Sequence, residues 1–155
     1  MLNSSNNKQI IFIRGRFKSQ VFTVQKWSLV TLPLELQSAD QKQGNFVFNS
    51  DNTISVPKAG FYRISATYCI LDYAHVQGLI ITRYNSDLSV SEHMGGELHS
   101  PSGNYNFGHC ETITNMQLGD KIGFNVYADA DGTMAIPSGP DRQGSFIIEY
   151  IGGGD

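Results

Sequence analysis

The sequence predicts an all-β fold, a β-sandwich or barrel formed as one domain, and three observations support this prediction. Apolar and polar residues alternate along several short runs, which is the pattern of strands with one buried face. Turn residues separate these runs, and no helical periodicity of useful length lies between them. The composition agrees, because the 155 residues include 16 glycines, 11% aromatic residues and only 16% charged residues, which suits tight turns around an aromatic core.

The clearest pattern covers Gly44–Leu71, which reads GNFVFNSDNTISVPKAGFYRISATYCIL. It predicts short strands at Asn45–Asn49 and Thr53–Val56, and then a long strand at Phe61–Leu71. The Pro-Lys-Ala-Gly segment before the long strand interrupts the alternation and predicts a corner between two sheets. The core face of the long strand is predicted to carry Tyr62, Ile64, Ala66, Tyr68 and Ile70. The opposite face carries Arg63, Ser65, Thr67 and Cys69.

Further strands are predicted in chain order at Gln9–Phe17, within Phe22–Gln37, and at Gly78–Tyr84, Tyr105–Met116, Lys121–Ala128 and Gly144–Ile151. The first of these is expected to bend or bulge at Gly15, because glycine often marks such positions in strands. Residues 91–104, SEHMGGELHSPSGN, have the composition of a loop. Residues 129–142 are predicted to form a second long loop.

The first and last predicted strands are apolar on both faces, at Ile10–Ile13 and Phe146–Ile151. A sheet with one face in water should alternate, so both faces of these strands are expected to be covered. A two-layer sandwich has no further layer of its own for the outer face. The simplest supplier of that cover is a neighbouring subunit.

Charge and cysteine content exclude several classes of protein. The net charge of −3 leaves no basic surface, so nucleic acid is not an expected partner. No run of 18 apolar residues occurs, which argues against membrane insertion, and residues 1–9 lack the apolar segment of a cleavable signal peptide. The two cysteines, Cys69 and Cys110, are interpreted as small thiols within strands and not as a disulfide framework.

Three segments resemble the C1q-like globular domain of the C1q/tumour necrosis factor superfamily. FNSDNTISVPKAGFYRISA is similar to its strand, Pro-x-x-Gly corner and following strand, with Pro57, Gly60, Tyr62 and Ile64 at the matching positions. LGDKIGFNV resembles a late strand of the family, and GSFIIEY resembles its terminal strand, ending on Tyr150. The upstream run VQKWSLVTLPLE is more similar to the bacterial and phage members than to the vertebrate ones.

The resemblance implies a ten-stranded jelly-roll β-sandwich, C1q/TNF-like, that assembles as a homotrimer. It places the first strand, the last strand, Phe61–Leu71 and Lys121–Ala128 in the sheet near the trimer axis. The expected domain spans residues 9–152. A flexible N-terminal segment, residues 1–8, and a flexible tail, residues 153–155, would flank it.

No catalytic residues are predicted, and an enzyme is not expected. The sequence contains no G-x-S-x-G element, and His109 and Cys110 cannot form a dyad merely by adjacency on a strand. Glu92 and Glu97 fall in the predicted loop at residues 91–104 and not at a useful spacing for acid–base chemistry.

The candidate ligand-binding residues combine ring faces with hydrogen-bonding groups in two predicted loops. They are Tyr73, His75, His93, His99, Asn104 and Tyr105. No cofactor is expected, with the exception of calcium at Asp129 and Asp131, because some C1q-like domains hold calcium near the trimer apex. The four histidines lack the spacing of zinc ligands, so a zinc site would need one histidine from each subunit at the trimer axis.

The function predicted from these features is that of a non-enzymatic trimeric recognition head. Its partners would be other copies of itself and a cell-surface glycan or protein receptor. The expected setting is extracellular, in a phage adsorption device (a virion tail) or on a bacterial or spore surface. Two alternatives remain: a purely structural trimerisation cap of a longer fibre, and a secreted cytokine-like receptor ligand.

Overall fold

A computed structural model of the chain describes residues 10–36, 42–71, 77–89, 91–99, 105–139 and 142–153. These residues form fourteen strands, and they contain no helix. A helix long and apolar enough to cross a membrane is therefore not found in the described part of the chain.

The strands are β1 (Phe12–Phe17), β2 (Gln20–Val24), β3 (Val30–Thr31), β4 (Leu34–Glu35), β5 (Lys42–Gln43), β6 (Val47–Phe48), β7 (Ile54–Ser55), β8 (Gly60–Leu71), β9 (Gln77–Tyr84), β10 (Ser91–His99), β11 (Tyr105–Met116), β12 (Lys121–Ala128), β13 (Gly132–Ile136) and β14 (Ser145–Gly152). They form two antiparallel sheets. The front sheet has the order β2-β13-β8-β14-β1-β4, with β11 beside β8 and β5 beside β1. The back sheet has the order β10-β9-β12-β7-β6, with β3 beside β12.

Strand β8 is the centre of the front sheet. It pairs with β11 along its whole length, from Tyr105 opposite Leu71 to Met116 opposite Gly60. Its other edge pairs with β14. The predicted faces are confirmed, because Tyr62, Ile64, Ala66, Tyr68 and Ile70 are all buried. Gly60 has a φ of 138°, which explains why the corner before β8 ends on glycine.

An aromatic cluster joins the two sheets. Phe17 and Phe146 come from the front sheet and Phe124 from the back sheet, and all three are buried. The ring centroids of Phe124 lie 5.1 Å from those of Phe146 and 5.6 Å from those of Phe17. These are favourable separations for tilted and edge-to-face ring pairs, so the large aromatic side chains determine how the sheets pack.

Tyr62 forms a second aromatic cluster at the other end of β8. Its hydroxyl donates a hydrogen bond to the Lys58 carbonyl at 2.7 Å. Its ring centroid lies 5.4 Å from that of Tyr150 and 6.5 Å from that of Phe46. Burial disfavours the charged form and raises the pKa of Tyr62 from 10.0 to about 12.

Alkaline pH should therefore weaken the fold through Tyr62. Unfolded tyrosine loses its proton near pH 10, and the folded side chain keeps it to about pH 12. In this window the unfolded state binds fewer protons, so the free energy of unfolding falls as pH rises. Urea midpoints at about pH 9 and about pH 11 should show this decline, and Tyr62→Phe should show a smaller one. Equal declines in the two proteins would contradict the assignment to Tyr62.

The prediction of a loop at residues 91–104 is wrong for residues 91–99. Ser91–His99 forms β10, which pairs with β9 and shifts register between His93 and Gly95. This strand lies at the edge of the back sheet, and an irregular edge strand with two adjacent glycines shows no period-2 pattern. Glu92 and Glu97 consequently lie on a strand. Residues 100–104 lie outside the described residues.

The predicted loop at residues 129–142 also contains a strand. Gly132–Ile136 forms β13, which pairs with β2 along all five of its residues. The partner strand β2 is distant in sequence, so the sequence near β13 gives no sign of the pairing. The turn residues on either side of β13 therefore made residues 129–142 look like a loop. Met134 and Ile136 of this strand are buried.

The prediction that Lys121–Ala128 belongs to the same sheet as β1, β8 and β14 is wrong. This segment is β12, and it pairs with all eight residues of β9 in the back sheet. Its predicted inward residues are nevertheless correct, because Ile122, Phe124 and Val126 are buried. The place beside β8 is taken by β11.

Gly15 does not mark a bulge. The register of β1 on β14 is continuous from Phe12 opposite Glu149 to Arg16 opposite Ser145. A Cβ atom at Gly15 would lie 2.7 Å from both the Glu35 carbonyl oxygen and the Phe146 ring. Glycine therefore provides space for the ring of its cross-strand partner.

Both cysteines are buried and neither forms a disulfide. This agrees with the interpretation of Cys69 and Cys110 as small thiols within strands. Cys69 was expected on the polar face of β8, and it is nevertheless fully buried. Buried residues therefore alternate with more exposed ones in β8 only as far as Tyr68.

Candidate functional site

The outer face of the front sheet carries an exposed apolar surface, called here the apolar face. The cross-strand register places outward-facing residues of β8, β11 and β14 side by side. Four of them are exposed apolar side chains: Phe61, Phe107, Ile113 and Ile147. The largest exposed fractions are those of Ile113 at 54% and Phe107 at 53%. An exposed apolar surface of this kind is typical of contacts with another protein.

Charged side chains lie between these apolar groups. Arg63 Nη1 lies 2.8 Å from Glu149 Oε1, and Arg63 Nε lies 3.8 Å from Glu111 Oε1. His109 lies beside them, with its Nε2 3.8 Å from Glu111 Oε2 and its Nδ1 3.0 Å from Thr67 Oγ1. All of these groups are substantially exposed, so the ion pairs contribute little stability to the single chain. They give the apolar face a defined polar centre.

The back sheet carries a pocket on its outer surface, called here the Trp27 pocket. Among the residues that the structure describes, it is lined by Trp27, Leu29, Ile80, His93 and Tyr127. Its volume is about 370 Å³, which lies at the small end of the range for small-molecule sites, roughly 300–1,000 Å³. Trp27 is 58% exposed and Leu29 is 42% exposed. None of the five lining residues carries a fixed charge.

A tight turn presents the Trp27 side chain. The Ser28 N–H donates to the Gln25 carbonyl at 3.0 Å, and the Trp27 N–H donates to the Ala128 carbonyl at 2.9 Å. The Lys26 N–H donates to Asp131 Oδ1 at 2.7 Å. Trp27 has a φ of 60°, a left-handed conformation that favours glycine and costs other residues about 1–3 kcal/mol.

Tyr127 forms the second aromatic wall. The Trp27 and Tyr127 ring centroids are 5.9 Å apart, with an angle of 42° between the ring planes. The Tyr127 ring lies across Gly78, its cross-strand neighbour on β9. A Cβ atom at Gly78 would come within 2.7 Å of the Tyr127 hydroxyl oxygen and still closer to two ring carbons. Glycine at this position therefore gives the tyrosine ring its place on the sheet.

A chain of hydrogen bonds runs beneath the pocket from β3 to β10. The Thr31 hydroxyl donates to Asn125 Oδ1 at 2.7 Å. Asn125 Nδ2 donates to Thr82 Oγ1 at 2.7 Å and to the Tyr84 hydroxyl at 3.1 Å. Thr82 Oγ1 lies 3.0 Å from His93 Nδ1. Asn125 is 1% exposed and Thr82 is fully buried, although both belong to the outer surface of the sheet.

The contact with Thr82 engages one nitrogen of the His93 ring. Asn125 donates to the Thr82 hydroxyl, which can still either donate to His93 Nδ1 or accept a hydrogen bond from it. In both cases Nε2 is the ring nitrogen that this contact leaves for a ligand, and His93 lines the pocket.

The structure divides the candidate ligand-binding residues. His93 lies within β10 and lines the Trp27 pocket. His99 ends β10 opposite Gln77, and Tyr105 begins β11 opposite Leu71. His93 and His99 are thus separated by most of the length of a strand. Tyr73, His75 and Asn104 lie outside the described residues.

The expected calcium ligands lie beside the Trp27 turn. Asp131 Oδ1 accepts the Lys26 N–H, so one of its oxygens is already used to hold that turn. Within the ranges that the structure describes, no three His, Cys, Asp or Glu side chains lie close enough to hold a metal ion. Calcium binding at Asp129 and Asp131 stays a prediction.

Sequence reasoning missed Trp27 and Tyr127 as site residues. Both fall within predicted strands, at Phe22–Gln37 and Lys121–Ala128, where an aromatic residue is ordinarily assigned to packing. Two signals were available in the sequence. Tyr127 alternates with the inward-facing residues of its strand and therefore lies on the outer, polar face. Trp27 follows Gln25 and Lys26 in a polar stretch. Neither signal locates a pocket without the fold.

Comparison with solved structures identifies the two-sheet sandwich as a TNF-like jelly roll, which confirms the jelly-roll sandwich expected from the sequence. The expected count of ten strands differs from the fourteen that the described residues form. The chain is similar to murine APRIL at pH 8.0, with a TM-score of 0.70 and 10% identity over 92% of this chain and 100% of that one. It is also similar to the Eiger TNF from S. frugiperda, with a TM-score of 0.65 and 14% identity over 94% and 96% of the two chains.

At these identities the similarity shows the fold alone. No protein-family model matches the chain, and no curated protein sequence matches it either. The narrower resemblance to bacterial and phage C1q-like domains therefore stays a prediction.

Proposed function

We propose that this protein is a non-enzymatic recognition domain that works as a homotrimer and binds a ligand at a cell surface. The observation that carries the proposal is the apolar face of the front sheet. Four exposed apolar side chains, Phe61, Phe107, Ile113 and Ile147, share this surface. A single chain gains nothing from exposing them together, because each leaves apolar area in water.

The composition of the apolar face suits contact between identical copies. Apolar groups at the centre of an interface supply most of its free energy of association. The ion pairs of Arg63 with Glu149 and Glu111 lie among them, and their partial exposure in the single chain would decrease on assembly. Three copies, and not two, are expected from the resemblance to the C1q/TNF superfamily.

Assembly through the front sheet leaves the back sheet and the strand ends for a ligand. We propose an extracellular setting, such as a phage adsorption device or a bacterial or spore surface, with a cell-surface glycan or a protein receptor as the ligand. A purely structural trimerisation cap is the alternative. Binding of the isolated trimer on a glycan array supports a recognition head, and a trimer without any ligand supports the cap.

Light scattering tests the assembly directly. At micromolar concentration the protein should show a mass of three times the chain mass of 17.1 kDa. Ile147→Asp should lower this mass to that of one chain, because it replaces an apolar contact with a charged group that must lose its water between the copies, even with Arg14 opposite it on β1. A stable monomer of the unmodified protein would contradict the proposal.

Leu118→Asp is the matched control for this experiment. Leu118 is 69% exposed, so it tests the same change of an exposed aliphatic residue to aspartate outside the apolar face. Leu118→Asp should remain trimeric. If both variants became monomeric, the loss of the trimer would reflect added charge in general, and the apolar face would not be the interface.

A further inference from the structure

We propose that the Trp27 pocket binds one uncharged pyranose ring of a glycan. This inference deepens the proposed recognition role and rests on it only for the cell-surface setting. Each pocket is built from one chain, so binding of the sugar does not require assembly.

The first argument concerns the cost of keeping Trp27 at this turn. Its left-handed backbone has a cost of about 1–3 kcal/mol, and glycine would avoid that cost. More than half of the side chain, 58%, stays exposed, so burial recovers only part of what a core tryptophan would contribute. A large ring kept exposed at a strained position favours a role at the surface, and contact with a ligand is such a role.

The second argument is the shape of the aromatic walls. Trp27 and Tyr127 are inclined to each other at 42° with centroids 5.9 Å apart, and Leu29 and Ile80 complete the apolar lining. The faces of aromatic rings are electron-rich and attract weakly positive hydrogens. One face of a pyranose ring presents several C–H groups of this kind, so it matches these walls.

The third argument is the hydrogen-bonding edge of the pocket. The His93 ring offers Nε2, because Nδ1 is held by Thr82 at 3.0 Å. The buried Asn125 amide fixes Thr82 in turn at 2.7 Å. The His93 ring is therefore held in place before the ligand arrives, which reduces the entropy lost on binding. A sugar hydroxyl suits Nε2 in either tautomer, because it both donates and accepts.

The charge of the described lining residues selects between ligands. An anionic sugar or a phosphate would need a cationic partner, and no lining residue that the structure describes carries a fixed charge. An apolar side chain of a receptor protein would fit the aromatic walls but would make no use of the His93 ring nitrogen. The neutral sugar uses both parts of the pocket.

Tryptophan fluorescence provides a direct test, because Trp27 is the only tryptophan of the chain. The full-length protein is titrated with neutral oligosaccharides that end in glucose, galactose, mannose or N-acetylglucosamine. At least one of them should change the emission of Trp27 and saturate, with a dissociation constant on the order of 1 mM for such a small exposed site. If none changes the emission, the proposal is overturned.

Two variants keep Trp27 as the reporter and separate the parts of the pocket. Tyr127→Ala should weaken binding of the same oligosaccharide by at least about tenfold, through the lost aromatic wall. His93→Ala should weaken it by about tenfold through the lost hydrogen bond. Phe48→Ala is the control, because Phe48 is another exposed aromatic residue of the back sheet. It should bind like the unmodified protein.

The remaining outcomes are also decisive. Circular dichroism melting of each variant should show a folded protein. If Tyr127→Ala is too unstable, Trp27→Phe replaces it; this variant retains an aromatic ring and should still bind on a glycan array. Unchanged affinity in both Tyr127→Ala and His93→Ala would overturn the site. The site would also be overturned if the pocket bound a protein ligand and no glycan. The monomeric Ile147→Asp variant should still bind sugar, so failure of the trimer and failure of the pocket are distinguishable.

Discussion

Replacing Tyr62 with alanine is expected to lower the free energy of unfolding by about 3–5 kcal/mol, the usual cost of truncating a buried aromatic residue. Tyr62 is fully buried near the start of β8, the central strand of the front sheet. Its ring contacts Phe46 and Tyr150, so its removal leaves a cavity lined by rigid rings that cannot easily collapse. Urea unfolding followed by far-UV circular dichroism measures the change.

Tyr62→Phe is the matched control for the alanine variant. It keeps the ring and removes only the hydroxyl that donates to the Lys58 carbonyl at 2.7 Å. A net cost of about 0.5–1.5 kcal/mol is expected for this one hydrogen bond. A Tyr62→Ala protein as stable as Tyr62→Phe would mean that the ring does not support the core.

Gly144→Ala should be the most damaging of the glycine substitutions, with a loss of at least about 2 kcal/mol. Gly144 has a φ of 76°, where a side chain is already strained. An added Cβ atom would lie 2.4 Å from the Thr67 carbonyl oxygen and 2.8 Å from Tyr68 Cα. Both atoms belong to the backbone of β8, so relief would require the central strand to move.

Gly152→Ala separates backbone strain from overlap. Gly152 also has a positive φ, 133°, but a Cβ atom there would have no neighbour within 4 Å. Its loss of stability should therefore be clearly smaller than that of Gly144→Ala in the same thermal melt. Equal losses in the two variants would show that overlap with β8 contributes nothing.

The long strands could be predicted because burial of one face determines both their sequence pattern and their structure. Tyr105–Met116 and Lys121–Ala128 form strands with the predicted bounds, and Phe61–Leu71 extends by one residue to Gly60. Each of these strands has at least one face in the core, so burial itself imposes the alternation. The aromatic and branched residues at those positions are the ones that fill the space between the sheets.

The strands that were missed are stabilised by pairing with other strands and not by a sequence pattern of their own. β10 is held by pairing with β9, and Gly95 and Gly96 remove the side chains that would show a pattern. β13 is held by β2, more than a hundred residues earlier. Sequence reasoning also placed β12 in the wrong sheet, because the pattern of a strand shows which face is buried but not which strand lies beside it.

The candidate site was predicted only at His93. A histidine with serine and glutamate neighbours was a reasonable sign of a polar surface. In the structure His93 contacts Thr82 on the polar outer face of the back sheet. Trp27 and Tyr127 could not be found in this way, since they meet only when the turn after β2 approaches the end of β12. An exposed aromatic pair formed by distant segments has no local signature.

The hydrogen bonds beneath the pocket also determine how the back sheet is aligned. Thr31, Asn125, Thr82 and His93 lie on four successive strands, β3, β12, β9 and β10. If β10 slipped by one residue, the side chain at the position of His93 would point to the opposite face, and Thr82 would lose its contact with His93. A polar contact thus helps to keep the edge strand with the weakest apolar pattern in register, together with the ion pair between Arg83 Nη2 and Glu92 Oε2 at 2.7 Å. A histidine-to-leucine change there would leave this alignment to that ion pair and to the backbone ladder.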